Sequence, residues 1–252
     1  MTALSRHTIL PASLVAMSAT AWVVVSRLGE SPWGPSGHSH GLHHAASGAS
    51  LTPVAATFIG GWELMTIAMM LPTTLPLVQV FRRLTSARRD GVLLTLLVLL
   101  GYVAAWTAFG AVVFGVNTLL QRLADGNAWL VAHPRAPSAA LFLVAGAFQF
   151  SELKYRCLDK CRSPLSFVTS RWRGTHERWQ SFRLGVEHGA FCVGCCWALM
   201  LLMFASAVTS LAWMLLLGAV MAVEKNVSWG RRVAAPVGFV LLAAGVAVLV
   251  TG

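Results

Sequence analysis

The stretch VLLTLLVLLGYVAAWTAFGAVVFGVNTLL, residues 92–120, contains no charged side chain. A helix of ~20 mostly apolar residues is long enough to cross the hydrocarbon core of a bilayer, so this stretch predicts a membrane-spanning helix. The whole chain has the same character, because 56% of its 252 residues are hydrophobic and only 11% are charged. A typical soluble domain has ~25% charged residues. We therefore predict an all-α, polytopic integral membrane protein that forms a single domain over residues 1–252.

Further apolar stretches lead to a prediction of about seven membrane spans. For the first of them, a cleaved signal peptide is the alternative, but the apolar run WVVV continues beyond the small residues of the candidate cleavage site. We therefore favour a retained helix. The predicted spans are 9–28, 53–81, 92–120, 136–153, 186–206, 211–223 and 233–250.

The distribution of basic residues orients these predicted spans. Lys and Arg concentrate in segments 82–89, 154–185 and 225–232, whereas segment 29–52 contains neither. Because basic loops stay on the cytoplasmic side, we predict a cytoplasmic N-terminus and an exterior C-terminus in a bacterial cytoplasmic (inner) membrane. Segment 29–52 is then an exterior loop and segment 154–185 a basic cytoplasmic loop. The net charge of +10 is explained by orientation and anionic lipid, without a nucleic-acid partner.

Cysteines occur in two short segments. CLDKC contains Cys157 and Cys161, which share one face if the segment is helical, and FCVGCC contains Cys192, Cys195 and Cys196 near the start of a predicted span. Both segments lie on the predicted cytoplasmic side, where a reducing environment disfavours structural disulfides. Neighbouring Lys and Arg residues favour the thiolate form, which binds metals. We predict one metal site to which both segments contribute.

Candidate ligands continue along one stripe of the fifth predicted span. His188, Cys192, Cys196, Met200 and Met203 follow one another at intervals of four, four, four and three residues. Thiolates followed by thioethers form a soft ligand series, which selects Cu(I) over harder ions. The alternatives are that the methionines pack in an apolar core and that His188 is a solvated interfacial residue.

Ionisable side chains near the other spans are further candidates. Glu63 lies near the bilayer centre in the predicted topology, where a carboxylate is costly and often functional. The alternative is that Glu63 bonds to a Trp or Thr of a neighbouring helix and only stabilises packing. Glu224, at the end of the sixth span, is expected to approach the cysteines or to pair with a loop arginine, and Lys225 is expected to snorkel to the interface. The methionines of the second span, Met65, Met69 and Met70, add candidate thioether ligands.

The tract HSHGLHH lies in the predicted exterior loop 29–52, which is rich in Gly, Ser and Pro and is therefore expected to be flexible. Short histidine-rich tracts bind Cu(II), Zn(II) or Ni(II) loosely, although an incidental polar linker is the alternative. Its candidate ligands are His38, His40, His43 and His44.

The motifs CVGCCWALMLLMF, CLDKCRSP, ELMTIAMMLP and VEK resemble a bacterial family of predicted metal-binding integral membrane proteins (domain of unknown function 2182) over roughly residues 61–233. The resemblance implies a polytopic helical protein, with a copper-chaperone role proposed for members encoded beside tyrosinases. The positions that the resemblance implies are Met65, Met69, Met70, Cys157, Cys161, Cys192, Cys195, Cys196, Trp197, Met200 and Glu224.

These residues are compatible with several functions. The first hypothesis is a metallochaperone that holds Cu(I) on thiolates and transfers it to a cuproenzyme client or a small membrane partner. The second is a membrane thiol–disulfide oxidoreductase that uses the C-x-x-C of CVGC. The third is an accessory subunit of a membrane complex, stabilised by Zn(II) on four thiolates. Because no nucleophile triad, phosphate loop or carboxylate pair stands out, we favour copper handling over enzymatic activity.

Overall fold

A computed structural model describes residues 3–28, 51–124, 127–204 and 210–251. Within these ranges every regular element is helical and no strand occurs, which confirms the predicted all-α class. The histidine-rich tract at 38–44 lies outside the described residues, so its role stays a prediction.

The described part of the chain forms α-helices joined by short turns. Single turns of 3-10 helix occur at Pro72–Thr74, Leu202–Phe204 and Gly230–Val233. In chain order the α-helices are α1 (Ala3–Leu28), α2 (Leu51–Met69), α3 (Leu75–Leu84), α4 (Gly91–Ala124), α5 (Ala128–Ala132), α6 (Ala136–Phe148), α7 (Glu152–Arg162), α8 (Pro164–Arg171), α9 (Glu177–Leu201), α10 (Leu211–Asn226) and α11 (Ala234–Val250).

The number of candidate membrane spans is smaller than the sequence predicts. Among the described residues, α4, α9 and Gly230–Val250 are each long and apolar enough to cross a membrane. The total rises to at most five if the bent pairs α2–α3 and α6–α7 each count as one span. The prediction of about seven spans is therefore not supported. The 16-residue α10, for example, is shorter than the ~20 residues that a span needs. The orientation of the termini stays a prediction.

Two of the predicted spans are broken. The chain bends by 48° between α2 and α3, where Pro72 begins a 3-10 turn and cannot donate a backbone hydrogen bond. It bends by 64° between α6 and α7, and the Ser151 hydroxyl caps α7 by accepting a hydrogen bond from the backbone N–H of Lys154. The second bend allows α7, which carries the CLDKC segment, to pack against α9.

Glycines bring α4 and α9 into close contact, and these two helices form the most extensive interface of the described chain. A Cβ on Gly185 would lie 2.0 Å from the Val98 carbonyl oxygen, and a Cβ on Gly101 would lie 2.1 Å from the Phe182 carbonyl oxygen. Only glycine permits this approach of two helix backbones. The close packing positions the cysteines of α9 beside Tyr102 of α4.

The segment 154–185, predicted as a basic loop, consists largely of helix. It contains most of α7, the whole of α8 and the first turns of α9. Lys154 is fully buried instead of lying in a loop, whereas Arg171 and Arg183 form partly exposed ion pairs with Glu187. The difference arises because Lys154 has a buried carboxylate partner from another helix, which the local sequence does not reveal.

Candidate metal centre

The sulfur atoms of Cys192, Cys196 and Met70 surround the ammonium group of Lys225. Lys225 Nζ lies 2.8 Å from Cys192 Sγ and 3.7 Å from Cys196 Sγ. Met70 Sδ is 3.4 Å from the same Nζ and 3.7 Å from Cys196 Sγ. All four residues are at most 6% exposed. We call these four residues the thiol cluster. Lys225 was expected to snorkel to the interface, and this expectation is wrong because its ammonium is held by buried sulfur atoms.

Three elements build the thiol cluster. Cys192 and Cys196 lie one turn apart on α9, so their side chains share a face. Lys225 occupies the last turn of α10. Met70 follows the last residue of α2, and its backbone N–H still donates to the Thr66 carbonyl at 2.8 Å. The break at Pro72 thus leaves Met70 at the end of the helix, directed at Cys196.

A tyrosine of α4 supports the cluster. The Tyr102 hydroxyl lies 3.0 Å from Cys192 Sγ and 3.4 Å from the carbonyl oxygen of Met70. Its side chain is 1% exposed, so water does not compete for these contacts. A phenol can donate a hydrogen bond to a thiolate, which stabilises the charged form of the sulfur. Sequence analysis missed Tyr102, since a single tyrosine in an apolar span carries no motif.

The CLDKC segment meets the same part of α9. The thiols of Cys161 and Cys195 lie near enough to each other to interact. Cys157 Sγ lies against Gly194, where an added Cβ would approach it to 2.6 Å. All five cysteines are free thiols, and Cys161 is the one that is only partly buried. The two cysteine segments therefore bring their thiols to the same part of the protein.

A buried ion pair fixes the helices around this group. Lys154 Nζ donates to Glu224 Oε2 at 2.7 Å and to the carbonyl oxygen of Cys195 at 3.2 Å. The carbonyl oxygen of Glu224 accepts a hydrogen bond from Arg162. The carboxylate of Glu224 thus pairs with a buried lysine and not with a loop arginine. The sequence offered one signal for Lys154, which is its position three residues before Cys157 on the same helical face.

The remaining predicted ligands lie in other surroundings. His188 is buried between aromatic rings, with centroid distances of 5.9 Å to Tyr102 and 5.4 Å to Phe167. Glu63 Oε1 accepts a hydrogen bond from the Thr107 hydroxyl of α4 at 2.7 Å, which is the kind of contact that the packing alternative describes. The other predicted methionine ligands, Met65, Met69, Met200 and Met203, are buried in the hydrophobic core that also contains the cysteines.

The donor set of the thiol cluster determines which metals suit it. Within the described ranges, no three Cys, His, Asp or Glu side chains are arranged to hold one metal ion. The cluster therefore does not present a preformed tetrahedral site of four protein ligands such as structural Zn(II) occupies. Two thiols and a thioether are instead a soft donor set of the kind that Cu(I) prefers.

The fold and the cluster together define a class, that of all-helical proteins with several candidate membrane spans and a buried cluster of soft sulfur side chains. The family model of the copper chaperone PpoB2 matches residues 59–248, and the chain belongs to this family. The matched range includes the whole thiol cluster and both cysteine segments, which supports the copper-handling role expected from the sequence. No curated protein and no solved structure is significantly similar to the chain.

Proposed function

We propose that this protein is a Cu(I) chaperone of the bacterial cytoplasmic membrane, which holds its cargo on Cys192, Cys196 and Met70 and delivers it to a cuproenzyme client. One observation carries the proposal, namely that these three sulfur atoms converge on a cation, the ammonium of Lys225, within 2.8–3.7 Å. Sulfur atoms already directed at a positive charge need little rearrangement to bind a soft metal cation. The family match to a copper chaperone supports copper as that metal.

Exchange of the cargo requires a route between the buried cluster and the surface. The partly buried Cys161 lies near Cys195, and Cys195 is three residues from Cys192 on α9. We propose that Cu(I) enters at Cys161 and passes between thiols by stepwise ligand exchange. Such a series allows capture without irreversible binding, because each step replaces one thiolate by another of similar softness.

The location in a membrane rests on the apolar surface of the longest helices. Large apolar side chains of α4 and α11 point outward, among them Leu100, Val116, Phe239 and Val240. An exposed apolar surface of this extent is costly in water and suits contact with lipid. The predicted cytoplasmic orientation of the cysteine segments is part of the proposal.

The oxidoreductase alternative has less support from the same contacts. Cys192 and Cys195, the two thiols of the C-x-x-C, are each 1% exposed. Thiol–disulfide exchange needs an accessible thiolate that can attack a partner's disulfide. Buried thiols around a lysine serve metal binding better than they serve exchange with a protein substrate.

The test compares Cu(I) binding by detergent-purified wild type, by the double variant Cys192→Ser/Cys196→Ser and by a matched control, Cys157→Ser. Cu(I) is titrated against a chromogenic Cu(I) chelator under reducing conditions. We expect the double variant to lose tight binding and the control to keep it, because Cys157 Sγ contacts Gly194 and not Lys225. Unchanged Cu(I) stoichiometry in the double variant would overturn the proposed site.

A further inference from the structure

We infer that Lys225 determines the specificity of the thiol cluster, by supplying a positive charge that admits a soft monovalent cation and disfavours a soft divalent one. This inference rests on the proposed function, since it concerns the site at which Cu(I) is proposed to bind. Lys225 thus selects the metal ion by its charge, whereas the sulfur atoms select it by its softness.

Lys225 takes its counter-charge from sulfur and not from the neighbouring carboxylate. Its ammonium is buried, and a buried cation requires an anionic or strongly polar partner. The neighbouring carboxylate, Glu224, directs Oε2 to Lys154 Nζ at 2.7 Å. Lys225 Nζ instead donates a hydrogen bond to Cys192 Sγ, at 2.8 Å. The interior therefore contains two lysines with separate partners, one paired with a carboxylate and the other with sulfur.

With a metal ion bound, the net charge of the thiol cluster depends on the charge of that ion. A thiol that ligates a metal does so as a thiolate, so Cys192 and Cys196 contribute two negative charges. Lys225 contributes one positive charge, and Met70 is neutral. A monovalent cation brings the cluster to neutrality, whereas a divalent cation leaves one positive charge without a partner. An uncompensated charge in a buried site is strongly unfavourable.

The charge of Lys225 is close enough to the bound metal to change its binding constant. When the metal takes over the sulfur contacts, the flexible stem of Lys225 allows its ammonium to move aside while remaining close. One extra unit charge on the metal at about 5 Å from the ammonium, with an effective dielectric constant of about 20, changes the binding constant on the order of 100-fold. Lys225 is thus a specificity-determining residue and not a ligand.

The experiment uses Ag(I) and Cd(II), which are both soft and differ in charge. Each ion is titrated into the Cu(I)-loaded wild type, Lys225→Leu and Lys225→Arg, and Cu(I) release is followed with the chromogenic chelator. In the wild type we expect Ag(I) to displace Cu(I) far more readily than Cd(II) does. Lys225→Leu should improve Cd(II) relative to Ag(I) on the order of 100-fold, because the fixed charge is removed and no new ligand is added. Lys225→Arg retains the charge and should retain the wild-type ratio.

The outcomes separate this inference from the proposed function. An unchanged ratio of Cd(II) to Ag(I) affinity in Lys225→Leu overturns the role of Lys225 and leaves the copper site standing. If Lys225→Leu does not fold, the wild type still decides, because equal displacement by Cd(II) and Ag(I) overturns the inference without any variant. If the wild type binds neither Cu(I) nor Ag(I), the proposed function fails, and this inference fails with it.

Discussion

Lys154 Nζ and Glu224 Oε2 lie 2.7 Å apart in the interior, where the two side chains are 0% and 2% exposed. The pair joins α7, which carries the CLDKC segment, to the end of α10, where Lys225 follows Glu224 directly. Because Lys154 Nζ also donates to the Cys195 carbonyl oxygen of α9, a single ammonium connects the three helices that carry the thiols and Lys225.

Loss of one partner of this pair is expected to destabilise the protein strongly. Lys154→Met leaves the Glu224 carboxylate buried without its counter-charge, and Glu224 Oε1 already has no hydrogen-bond partner among the residues that the structure describes. We expect a loss of about 3–5 kcal/mol, measured as a lower thermal unfolding temperature in detergent. The double variant Lys154→Met/Glu224→Leu should recover much of the loss, since it removes both charges.

A matched control for the buried pair is available on the surface of the same helix. Arg156 and Glu152 form an ion pair whose side chains are 73% and 77% exposed, so Arg156→Ala should change stability by no more than about 1 kcal/mol. Equal unfolding temperatures for Lys154→Met and Arg156→Ala would show that the buried pair has no special structural role.

The thioether of Met70 is expected to contribute to copper affinity and little to stability. Met70→Leu keeps a similar apolar volume, so the free energy of unfolding should fall by less than about 1.5 kcal/mol. Removal of Sδ, which lies 3.7 Å from Cys196 Sγ, should weaken Cu(I) binding about tenfold, equivalent to about 1.4 kcal/mol. The chelator competition measures this change. Met65→Leu, at a buried methionine of the preceding helix α2, is the control, and equal affinities for both variants would remove Met70 from the site.

Cys161 is expected to affect the rate of copper loading more than its equilibrium. It is partly buried and lies near Cys195, whereas Lys225 contacts Cys192 and Cys196. We therefore predict that Cys161→Ser slows transfer from a Cu(I)-donor complex in stopped-flow measurements and leaves the final occupancy unchanged. Cys157→Ser serves as the control. A loading rate equal to the wild type in both variants would argue against entry at Cys161.

The contact between α4 and α9 is expected to tolerate no side chain at Gly185. An alanine there would place its Cβ 2.0 Å from the Val98 carbonyl oxygen, so Gly185→Ala must separate the two helices and move Cys192 away from Tyr102. We expect a lower unfolding temperature and weaker Cu(I) binding. Gly115→Ala on the same helix as Val98 has open space around its Cβ and should be neutral or stabilising by up to about 1 kcal/mol. Wild-type behaviour of Gly185→Ala would contradict the close packing.

Much of the class and part of the site could be predicted from local sequence alone. Composition and the uncharged stretch at 92–120 predict apolar helices, because backbone groups in an apolar environment must bond within their own segment. Cys157 and Cys161 at a helical interval, together with Cys192, Cys195 and Cys196, predict a sulfur-rich site. The geometry of the bends was harder to predict from the sequence, since Pro72 indicates a break in a helix but not its 48° angle.

The sequence by itself determined that the chain is helical and apolar and that its thiols are concentrated in two segments, because periodicity and composition are local properties. Only the tertiary structure decided that Lys154 and Lys225 are buried. A lysine at the end of an apolar stretch predicts an interfacial residue, and what reverses that prediction is a partner from a distant part of the chain. The partners here are Glu224 for Lys154 and the sulfur atoms of α9 and Met70 for Lys225. Burial of a charge depends on the groups that compensate it, and folding alone brings those groups together.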